Sequence, residues 1–243
     1  HNAEKLKVPV ILMHAEVHEK ISHLDDIGPI MIYAAQKANI PVCVHLDHGE
    51  HLDYLHKALN MGFTSIMYDG SLLSYEQNVI NTKKAVAMAD EKCASVEAEI
   101  GILGGREVGA KQKIKAEDMY TDPELAKKFV EDTQIDALAG SFGTAHGIYK
   151  KKPNIDFERI KKIKSLVNIP LVMHGGSGVN HEDYKNAIAG GIRKINYYSY
   201  MANAGLKSAE KLIKNAEITF YHDIADVVVK ALDVVVALVV LVF

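Results

Sequence analysis

The sequence predicts an α/β fold in which parallel strands alternate with helices. Short apolar runs rich in β-forming residues recur along the chain, and each precedes a stretch with apolar residues every three or four positions. Because alternating strands and helices form parallel sheets with right-handed crossovers, this pattern favours a barrel or a doubly wound sheet. No glycine-rich dinucleotide fingerprint follows the first run, so we expect a (β/α)8 barrel, the TIM barrel.

Seven runs are predicted to form the strands. They are residues 8–15, 40–47, 65–70, 95–101, 136–143, 169–175 and 193–199. Helical spacing is clear at Leu52, Leu55 and Leu59, and residues 121–124 carry a helix-start signal. Since such a barrel has eight strands in about 250 residues, we expect its first strand to be missing, just before residue 1. Residues 1–243 are predicted to form a single barrel domain.

The composition excludes several classes of function. The net charge is −3 over 243 residues, whereas nucleic-acid-binding domains are usually basic. Two cysteines, Cys43 and Cys93, provide neither a disulfide framework nor a cysteine-based zinc site. The polar residues 1–7 do not resemble a secretory signal. We therefore expect a cytoplasmic protein that binds neither nucleic acid nor membranes.

The C-terminal segment, residues 227–243, is unusually rich in valine. Its uninterrupted apolar part begins after Asp233 and is shorter than the roughly 20 residues of a transmembrane helix. We expect a packed terminal element rather than a segment that lies on a membrane surface.

Ionisable side chains accumulate at the C-terminal ends of the predicted strands, where the active sites of parallel barrels lie. His48, His146 and His174 lie at or just past the ends of three different runs. Three protein ligands with an open position are typical of a catalytic zinc, so we expect these histidines to bind Zn²⁺. Carboxylates also reach these strand ends, namely Glu16, Asp47, Asp69, Glu97 and Glu99.

Glycine-rich segments flank two of these histidines. His146 lies within residues 143–150, which end in Lys150, and His174 is followed by Gly-Gly-Ser-Gly at 175–178. Glycine permits close backbone approach, and clustered N–H groups beside a serine hydroxyl form an anion cradle. Barrel enzymes often bind phosphate in their last loops, which favours a phosphate site here. The alternative for residues 174–178 is a tight strand-to-helix turn.

Five motifs in order along the chain point to one family. They are HLDHG at 45–49, SVEAEIG at 95–101, GTAHGIYK at 143–150, HGGSG at 174–178 and KIN at 194–196. With these motifs the sequence resembles the class II, zinc-dependent fructose-bisphosphate and tagatose-bisphosphate aldolases from about residue 8 to 226. The resemblance implies reversible aldol cleavage of a ketose 1,6-bisphosphate to dihydroxyacetone phosphate and glyceraldehyde 3-phosphate.

The resemblance also implies a metal centre. It makes His48, His146 and His174 the ligands of a catalytic Zn²⁺. Glu99 matches a carboxylate that holds the metal in an alternative position, and Asp69 lies at an accessory metal site. A monovalent cation such as Na⁺ or K⁺ near the phosphate site, and a homodimer or homotetramer, are further expectations from the family.

The resemblance assigns proton transfer and substrate binding to other residues. Asp47 matches the aspartate that exchanges a proton with the C4 hydroxyl, and Glu107 matches a mobile-loop acid that transfers a proton at the triose carbon. His45 is expected to pack or to support its neighbours rather than to bind the metal. The positions that match phosphate-binding or substrate-binding residues are Gly147, Lys150, Gly175, Gly176, Ser177, Asn196 and Ser199.

One position departs from the family pattern and other functions stay open. Tyr198 stands where family members often have an aspartate, which leaves the exact substrate open. The sequence also carries no motif that distinguishes fructose from tagatose bisphosphate, which differ only in C4 stereochemistry. A barrel metallohydrolase and a non-catalytic sugar-phosphate-binding protein are the alternatives. A lysine Schiff base is disfavoured because Lys194 opens the last predicted strand and no run carries a lysine at its C-terminal end.

Overall fold

The computed structural model describes residues 2–101, 120–215 and 218–240. Within these ranges, parallel strands form one sheet in which each strand pairs with the next along the chain. The strands are β1 (Val10–Ala15), β2 (Val42–Gly49), β3 (Ser65–Tyr68), β4 (Ser95–Ile100), β5 (Ala137–Gly140), β6 (Leu171–Met173) and β7 (Ile192–Ile195). Each of the seven predicted runs coincides with one of these strands to within a few residues.

Helices precede the first strand, connect the strands and follow the last one. They are α1 (Asn2–Leu6), α2 (Leu24–Lys37), α3 (Leu52–Met61), α4 (Tyr75–Asp90), α5 (Pro123–Thr133), α6 (Phe157–Leu166), α7 (His181–Gly190), α8 (Ser199–Lys214) and α9 (Tyr221–Val240). The predicted helix start at 121–124 is confirmed: the Asp122 side chain accepts a 2.8 Å hydrogen bond from the backbone N–H of Leu125. Such a cap satisfies an N–H group that has no partner within the helix.

The sheet is a half-barrel. Among the described residues the pairing runs from β1 to β7, and the predicted eight-stranded closure is not confirmed. The inner strands β3 and β6 are buried along their whole length, whereas Ile11 of the edge strand β1 is 38% exposed. The two edges of the sheet are therefore less covered than its centre.

Two different cores lie on the two faces of the sheet. The outer face packs apolar side chains against the helices, including Leu46, Leu55, Ile66, Phe129, Leu138 and Ile160. The inner face carries a small apolar cluster of Met67, Ala139 and Val172. Since Met67 is in register with Glu97, and strand neighbours in register point the same way, buried ionisable groups share this inner face. An ordinary barrel interior is filled by branched apolar residues, so these charged groups require partners.

The C-terminal residues 221–240 form helix α9, which packs against α8 and α1. This agrees with the predicted packed terminal element. In the part of the chain that the structure describes, no helix is long and apolar enough to cross a membrane.

Phe129→Ala is expected to lower the free energy of unfolding by about 3–5 kcal/mol, because it leaves a cavity under α5. Phe129 is fully buried, and its ring lies 6.1 Å from that of Tyr75 on α4. Urea unfolding measures the change. The control Phe220→Ala removes a ring that is 60% exposed and should change the free energy by about 0.5 kcal/mol or less. Equal effects of the two substitutions would contradict the assignment of Phe129 to the core.

Candidate metal centre

An irregularity in β2 brings two consecutive side chains to the same site. The register between β2 and β3 shifts between Leu46 and Gly49, and His48 has a φ of +45°. A non-glycine residue in the left-handed region is uncommon, and a β-bulge re-aims the side chains next to it. Asp47 and His48 therefore both reach the inner side of the sheet, although a regular strand would point them to opposite faces.

Gly49 belongs to β2 and is required by the close packing there. A side-chain carbon at this position would collide with Leu55 of α3 and lie 2.9 Å from the carbonyl oxygen of Met67. Gly49 is the last residue of β2, so the irregularity before it lies inside the strand.

The three predicted metal ligands meet in one cluster. His48 comes from β2, His146 from the loop after β5 and His174 from the residue after β6. One ring nitrogen of each lies within 4.8 Å of the others, and Nε2 of His48 is 2.8 Å from Nδ1 of His174. Residues 126 positions apart are thus within reach of a single ion.

Two carboxylates orient two of these rings. Nδ1 of His48 lies 2.7 Å from Oδ2 of Asp69, and Nε2 of His174 lies 2.8 Å from Oε1 of Glu97. Because a ring nitrogen that donates to a carboxylate keeps its proton, the opposite nitrogen is left with a lone pair for a metal. Those opposite nitrogens are the two that face each other at 2.8 Å.

The electrostatics of the three histidines fit a cation between the rings. Burial lowers the pKa of His48, but Asp47 and Asp69 raise it more, to about 10. Burial lowers the pKa of His146 to about 3 and also lowers the pKa of His174. A proton on Nε2 of His48 therefore lies between this nitrogen and Nδ1 of His174, whose lone pairs would otherwise repel. A divalent ion with three histidine ligands can replace that proton.

Asp69 and Glu99 form a second candidate group with His48. One atom of each of the three residues lies within 4.8 Å of the others, and Oε2 of Glu99 is 3.9 Å from Nδ1 of His48. Asp69 also accepts hydrogen bonds from the backbone N–H (3.1 Å) and the hydroxyl (2.6 Å) of Ser71. The structure thus brings the predicted alternative and accessory ligands to the same side of the cluster.

Asp47 is held beside the histidines by Asn196. The amide Nδ2 of Asn196 donates to Oδ1 of Asp47 at 2.9 Å, and both side chains are buried. Burial raises the pKa of the Asp47 carboxyl, but His48, His174 and Lys194 lower it more, so that it lies below its usual range. Among the described residues Oδ1 of Asn196 has no hydrogen-bond partner. The Asp47 carboxyl is therefore ionised at neutral pH, and Oδ1 of Asn196 can accept a hydrogen bond from a bound hydroxyl.

Tyr149 joins the loops that carry His146 and His174. Its hydroxyl accepts from the backbone N–H of Ala145 at 2.7 Å and donates to the carbonyl of Gly175 at 2.8 Å. Gly175 has a φ of +66°, and a side-chain carbon there would collide with the carbonyl oxygen of Ala145. Sequence reasoning did not single out Tyr149, although it lies in the motif at 143–150.

Three of the predicted phosphate residues, Gly176, Ser177 and Ser199, lie around the start of α8. The Ser177 Oγ accepts from the backbone N–H groups of Tyr198 (3.0 Å) and Tyr200 (3.4 Å). The N–H of Gly176 donates to the carbonyl of Asn196 at 3.0 Å. Ser199 is the first residue of the 16-residue helix, whose N-cap residue Tyr198 provides no side-chain cap. The first N–H groups of a helix have no partner within the helix and carry positive partial charge, which suits an anion.

The remaining predicted positions have no contact with the histidine cluster that defines a role, or lie outside the described residues. Gly147 has a φ of +93° and open space around it, and Lys150 is exposed. Glu16 accepts hydrogen bonds from the backbone N–H groups of Glu50 and His51 and pairs with the ring of His51, which is not one of the predicted metal ligands. Glu107 falls within residues 102–119, outside the described part of the chain.

Lys194 is a site residue that sequence reasoning misplaced. The predicted strand began at 193, which put Lys194 at its opening, but β7 ends at Ile195, so Lys194 is the penultimate residue. Its Nζ lies 2.6 Å from Oε2 of Glu97. The absence of a lysine near a strand end therefore no longer argues against a Schiff base, but an ammonium paired with a carboxylate is a poor nucleophile.

Tyr149→Phe is expected to weaken zinc binding and to lower the free energy of unfolding by about 1–3 kcal/mol, because it leaves Ala145 N–H and the Gly175 carbonyl without their partner. Competition with a chromophoric chelator and urea unfolding measure the two effects. The control Tyr33→Phe changes an exposed tyrosine on α2. Zinc affinity equal to that of this control would show that the two loops do not need the Tyr149 hydroxyl.

Comparison with known proteins identifies the family. The family model described as fructose-bisphosphate aldolase class-II matches residues 1–240. The chain is 36% identical to the uncharacterised protein YdjI of Escherichia coli (strain K12) over 220 residues, which span 90% of this chain and 77% of YdjI. It is 41% identical to a fructose-bisphosphate aldolase of Staphylococcus aureus (strain Mu50) over 177 residues, which span 72% of this chain and 60% of that protein.

Among solved structures, the X-ray structure of the YdjI aldolase from Escherichia coli K12 matches with a TM-score of 0.87 and 32% identity, covering 100% of this chain and 84% of that chain. The half-barrel therefore has the architecture of an aldolase fold. The chain belongs to the class II fructose-bisphosphate aldolase family and is a lyase of a metal-dependent class that acts on phosphorylated sugars.

Proposed function

We propose that the chain catalyses the zinc-dependent, reversible aldol cleavage of a ketose 1,6-bisphosphate to dihydroxyacetone phosphate and glyceraldehyde 3-phosphate. The observation that carries this proposal is the convergence of His48, His146 and His174 beside the ionised carboxylate of Asp47. Membership of the aldolase family supports a phosphorylated ketose as the substrate. The candidates are fructose 1,6-bisphosphate and tagatose 1,6-bisphosphate.

Zinc is the proposed metal because three histidine nitrogens with an open position are its usual catalytic ligand set. His48, His146 and His174 would hold it, and Glu99 would provide an alternative ligand with Asp69 as an accessory one. When bound, zinc supplies Lewis-acid polarisation of the ketose C2 carbonyl.

Asp47 is the proposed base for the C4 hydroxyl. In the cleavage direction Asp47 takes the proton of the C4 hydroxyl, and the C4–O bond becomes a carbonyl. The C3–C4 bond breaks at the same time, and the electron pair of that bond passes to the triose half. Asn196 fixes the acceptor oxygen through its 2.9 Å hydrogen bond. Glu107 is retained as the proposed acid that returns a proton to the triose carbon, by its match to the family motif.

The residues around the start of α8 are the proposed phosphate site. Because the Ser177 Oγ already accepts two backbone N–H groups, its own hydroxyl proton is available for a phosphate oxygen. The N-terminus of α8 contributes positive partial charge. The site would comprise Gly147, Lys150, Gly175, Gly176, Ser177 and Ser199, with Na⁺ or K⁺ nearby.

Several wider expectations accompany this proposal. We propose that residues 1–243 belong to one barrel domain in which an eighth strand lies between β7 and β1. The incomplete burial of β1, where Ile11 is exposed, supports such a neighbour. A homodimer or homotetramer and a cytoplasmic location are retained as proposals from the family resemblance and the composition.

A substrate panel tests the proposed reaction. Purified protein is incubated with fructose 1,6-bisphosphate, tagatose 1,6-bisphosphate and the matching phosphate-free ketoses, and dihydroxyacetone phosphate is measured. Both C4 epimers are needed because Tyr198, whose ring lies 5.3 Å from that of His18, replaces the usual aspartate. Release of dihydroxyacetone phosphate from one bisphosphate supports the aldolase. Hydrolysis of phosphate-free substrates would instead indicate a metallohydrolase, and binding without turnover a sugar-phosphate-binding protein.

A further inference from the structure

A buried ion cluster lies next to His174 and takes no direct part in the proton transfers described above. It consists of Lys194 of β7, Glu97 of β4 and His45 of β2, three residues from three strands of the sheet. His45 is 1% exposed and Glu97 is 2% exposed, and the side chain of Lys194 is 12% exposed. Since charged groups are costly to bury, this cluster must be tightly paired to persist in the fold.

Glu97 uses its two oxygens for two different partners. Oε1 lies 2.8 Å from Nε2 of His174, and Oε2 lies 2.6 Å from Nζ of Lys194. A carboxylate held at both oxygens has one orientation, and in that orientation His174 donates through Nε2. Nδ1 of His174 is then the nitrogen with the lone pair, and it is the one that faces His48 at 2.8 Å.

Lys194 is fixed from its other side by His45. Its Nζ lies 3.2 Å from Nε2 of His45, while Nδ1 of His45 lies 2.8 Å from the hydroxyl oxygen of Ser65. An ammonium group only donates, so Nε2 of His45 accepts and the ring proton is on Nδ1, which donates to Ser65. His45 is thus a neutral support for the ammonium group, which specifies the packing or supporting role expected for this residue from the sequence.

We propose that Lys194 is a positioning residue that locks Glu97 against His174 and thereby selects the metal-binding nitrogen of His174. Without the ammonium group, Glu97 would be a buried carboxylate with one polar partner fewer, and it would be free to turn away from His174. The inference rests on the proposed function, because it takes His174 as a metal ligand. It predicts that the charge of Lys194 controls metal affinity without contact between Lys194 and the metal.

Metal affinity of Lys194 variants tests the proposal. Lys194→Met should weaken zinc binding by about 10–100-fold, the range typical for loss of an outer hydrogen-bonding partner of a metal ligand. Lys194→Arg keeps the charge and the donors and should stay within about threefold of the unsubstituted protein. The matched control Lys161→Met removes an exposed lysine that pairs with Glu158 at a similar distance, 2.7 Å, and should leave the affinity unchanged. Zinc affinity in Lys194→Met equal to that of the control would overturn the proposal.

A second background tests whether Lys194 acts through Glu97. Glu97→Gln keeps an oxygen that can accept from His174 but has no charge to neutralise. In this background Lys194→Met should weaken zinc binding further by no more than about twofold, because the two residues act as a unit. An undiminished loss in the Glu97→Gln background would overturn the proposal. Borohydride trapping of a substrate adduct on Lys194 would also overturn it, because the amine would then be a nucleophile.

The unsubstituted protein provides a test that does not depend on the folding of any variant. Nitrogen-15 NMR of the zinc-loaded enzyme reports which ring nitrogen carries the proton, and we expect Nε2–H for His174 and Nδ1–H for His45. The opposite tautomer in either ring would overturn the proposal. These measurements need no substrate. A failure of the substrate panel would therefore reject the proposed reaction without deciding whether Lys194 positions Glu97, and the two failures can be told apart.

Discussion

A strong chelator is expected to abolish aldol cleavage by this protein, and added Zn²⁺ is expected to restore it. The C2 carbonyl needs an electrophile while the C3–C4 bond breaks. The side chains beside the metal ligands are Asp47, which is an ionised base, and Asn196, whose amide N–H already donates to Asp47, and neither is a strong electrophile. Loss of the Lewis acid should therefore raise the barrier by several kcal/mol, which corresponds to more than about 10³-fold in rate. The measurement is the rate of dihydroxyacetone phosphate release before chelation, after it and after zinc addition.

Two controls make the chelation result specific. Chelator saturated with zinc beforehand should have no effect, which excludes direct inhibition by the chelator. Full activity in free chelator, together with a borohydride-trapped covalent adduct, would replace the metal mechanism with a Schiff base.

The ligand assignment is tested by the zinc affinity of His174→Ala. This substitution removes a buried ring whose Nδ1 faces His48, so zinc binding should weaken by more than about 100-fold. That loss exceeds the effect of about 10–100-fold that is typical for a residue that only hydrogen-bonds to a metal ligand. His181→Ala changes an exposed histidine at the start of α7 and serves as the matched control. Zinc affinity that is the same in both variants would remove His174 from the ligand set.

The strands and the three histidines were predictable because they depend on local sequence and one rule of topology. Apolar runs mark strands, and parallel strands place their C-terminal ends at one edge of the sheet. His48, His146 and His174 follow three such runs, so their convergence required no knowledge of side-chain contacts. The predicted eighth strand had no corresponding run in the sequence, and the described sheet remains a half-barrel.

The finer features were not predictable because they depend on contacts between distant segments. The left-handed backbone of His48 and the shifted register in β2 leave no mark in an alternating apolar pattern. Tyr149 joins two loops through a hydroxyl whose partners are known only once the loops have met. For Lys194 the error was a strand boundary displaced by a few residues, which is enough to move a side chain from one end of a short strand to the other.

Asp47→Asn is expected to retain zinc while lowering kcat by about 10²–10⁴-fold, the usual contribution of a general acid or base. The substituted amide has nearly the same shape and can still accept from Asn196 through its oxygen, but it cannot take the C4 hydroxyl proton at neutral pH. KM should change much less than kcat, because the lost interaction concerns proton transfer rather than ground-state binding. Zinc content by atomic absorption and steady-state kinetics on the same preparation separate the two roles that a carboxylate can have here.

The matched control for this variant is Asp25→Asn, which changes a carboxylate that is 64% exposed and pairs with Lys57 at 2.7 Å. It should leave both zinc content and kcat unchanged. Loss of zinc from Asp47→Asn would make Asp47 a metal ligand, and unchanged turnover would assign the C4 proton to another group.

The low pKa of Asp47 gives the expected pH dependence: its carboxylate is already ionised well below neutral pH, so protonation of this residue should not limit cleavage between pH 6 and 8. An acid limb of kcat within that range that disappears in Asp47→Asn would contradict the assigned ionisation state, because only a carboxyl group with a raised pKa could produce it.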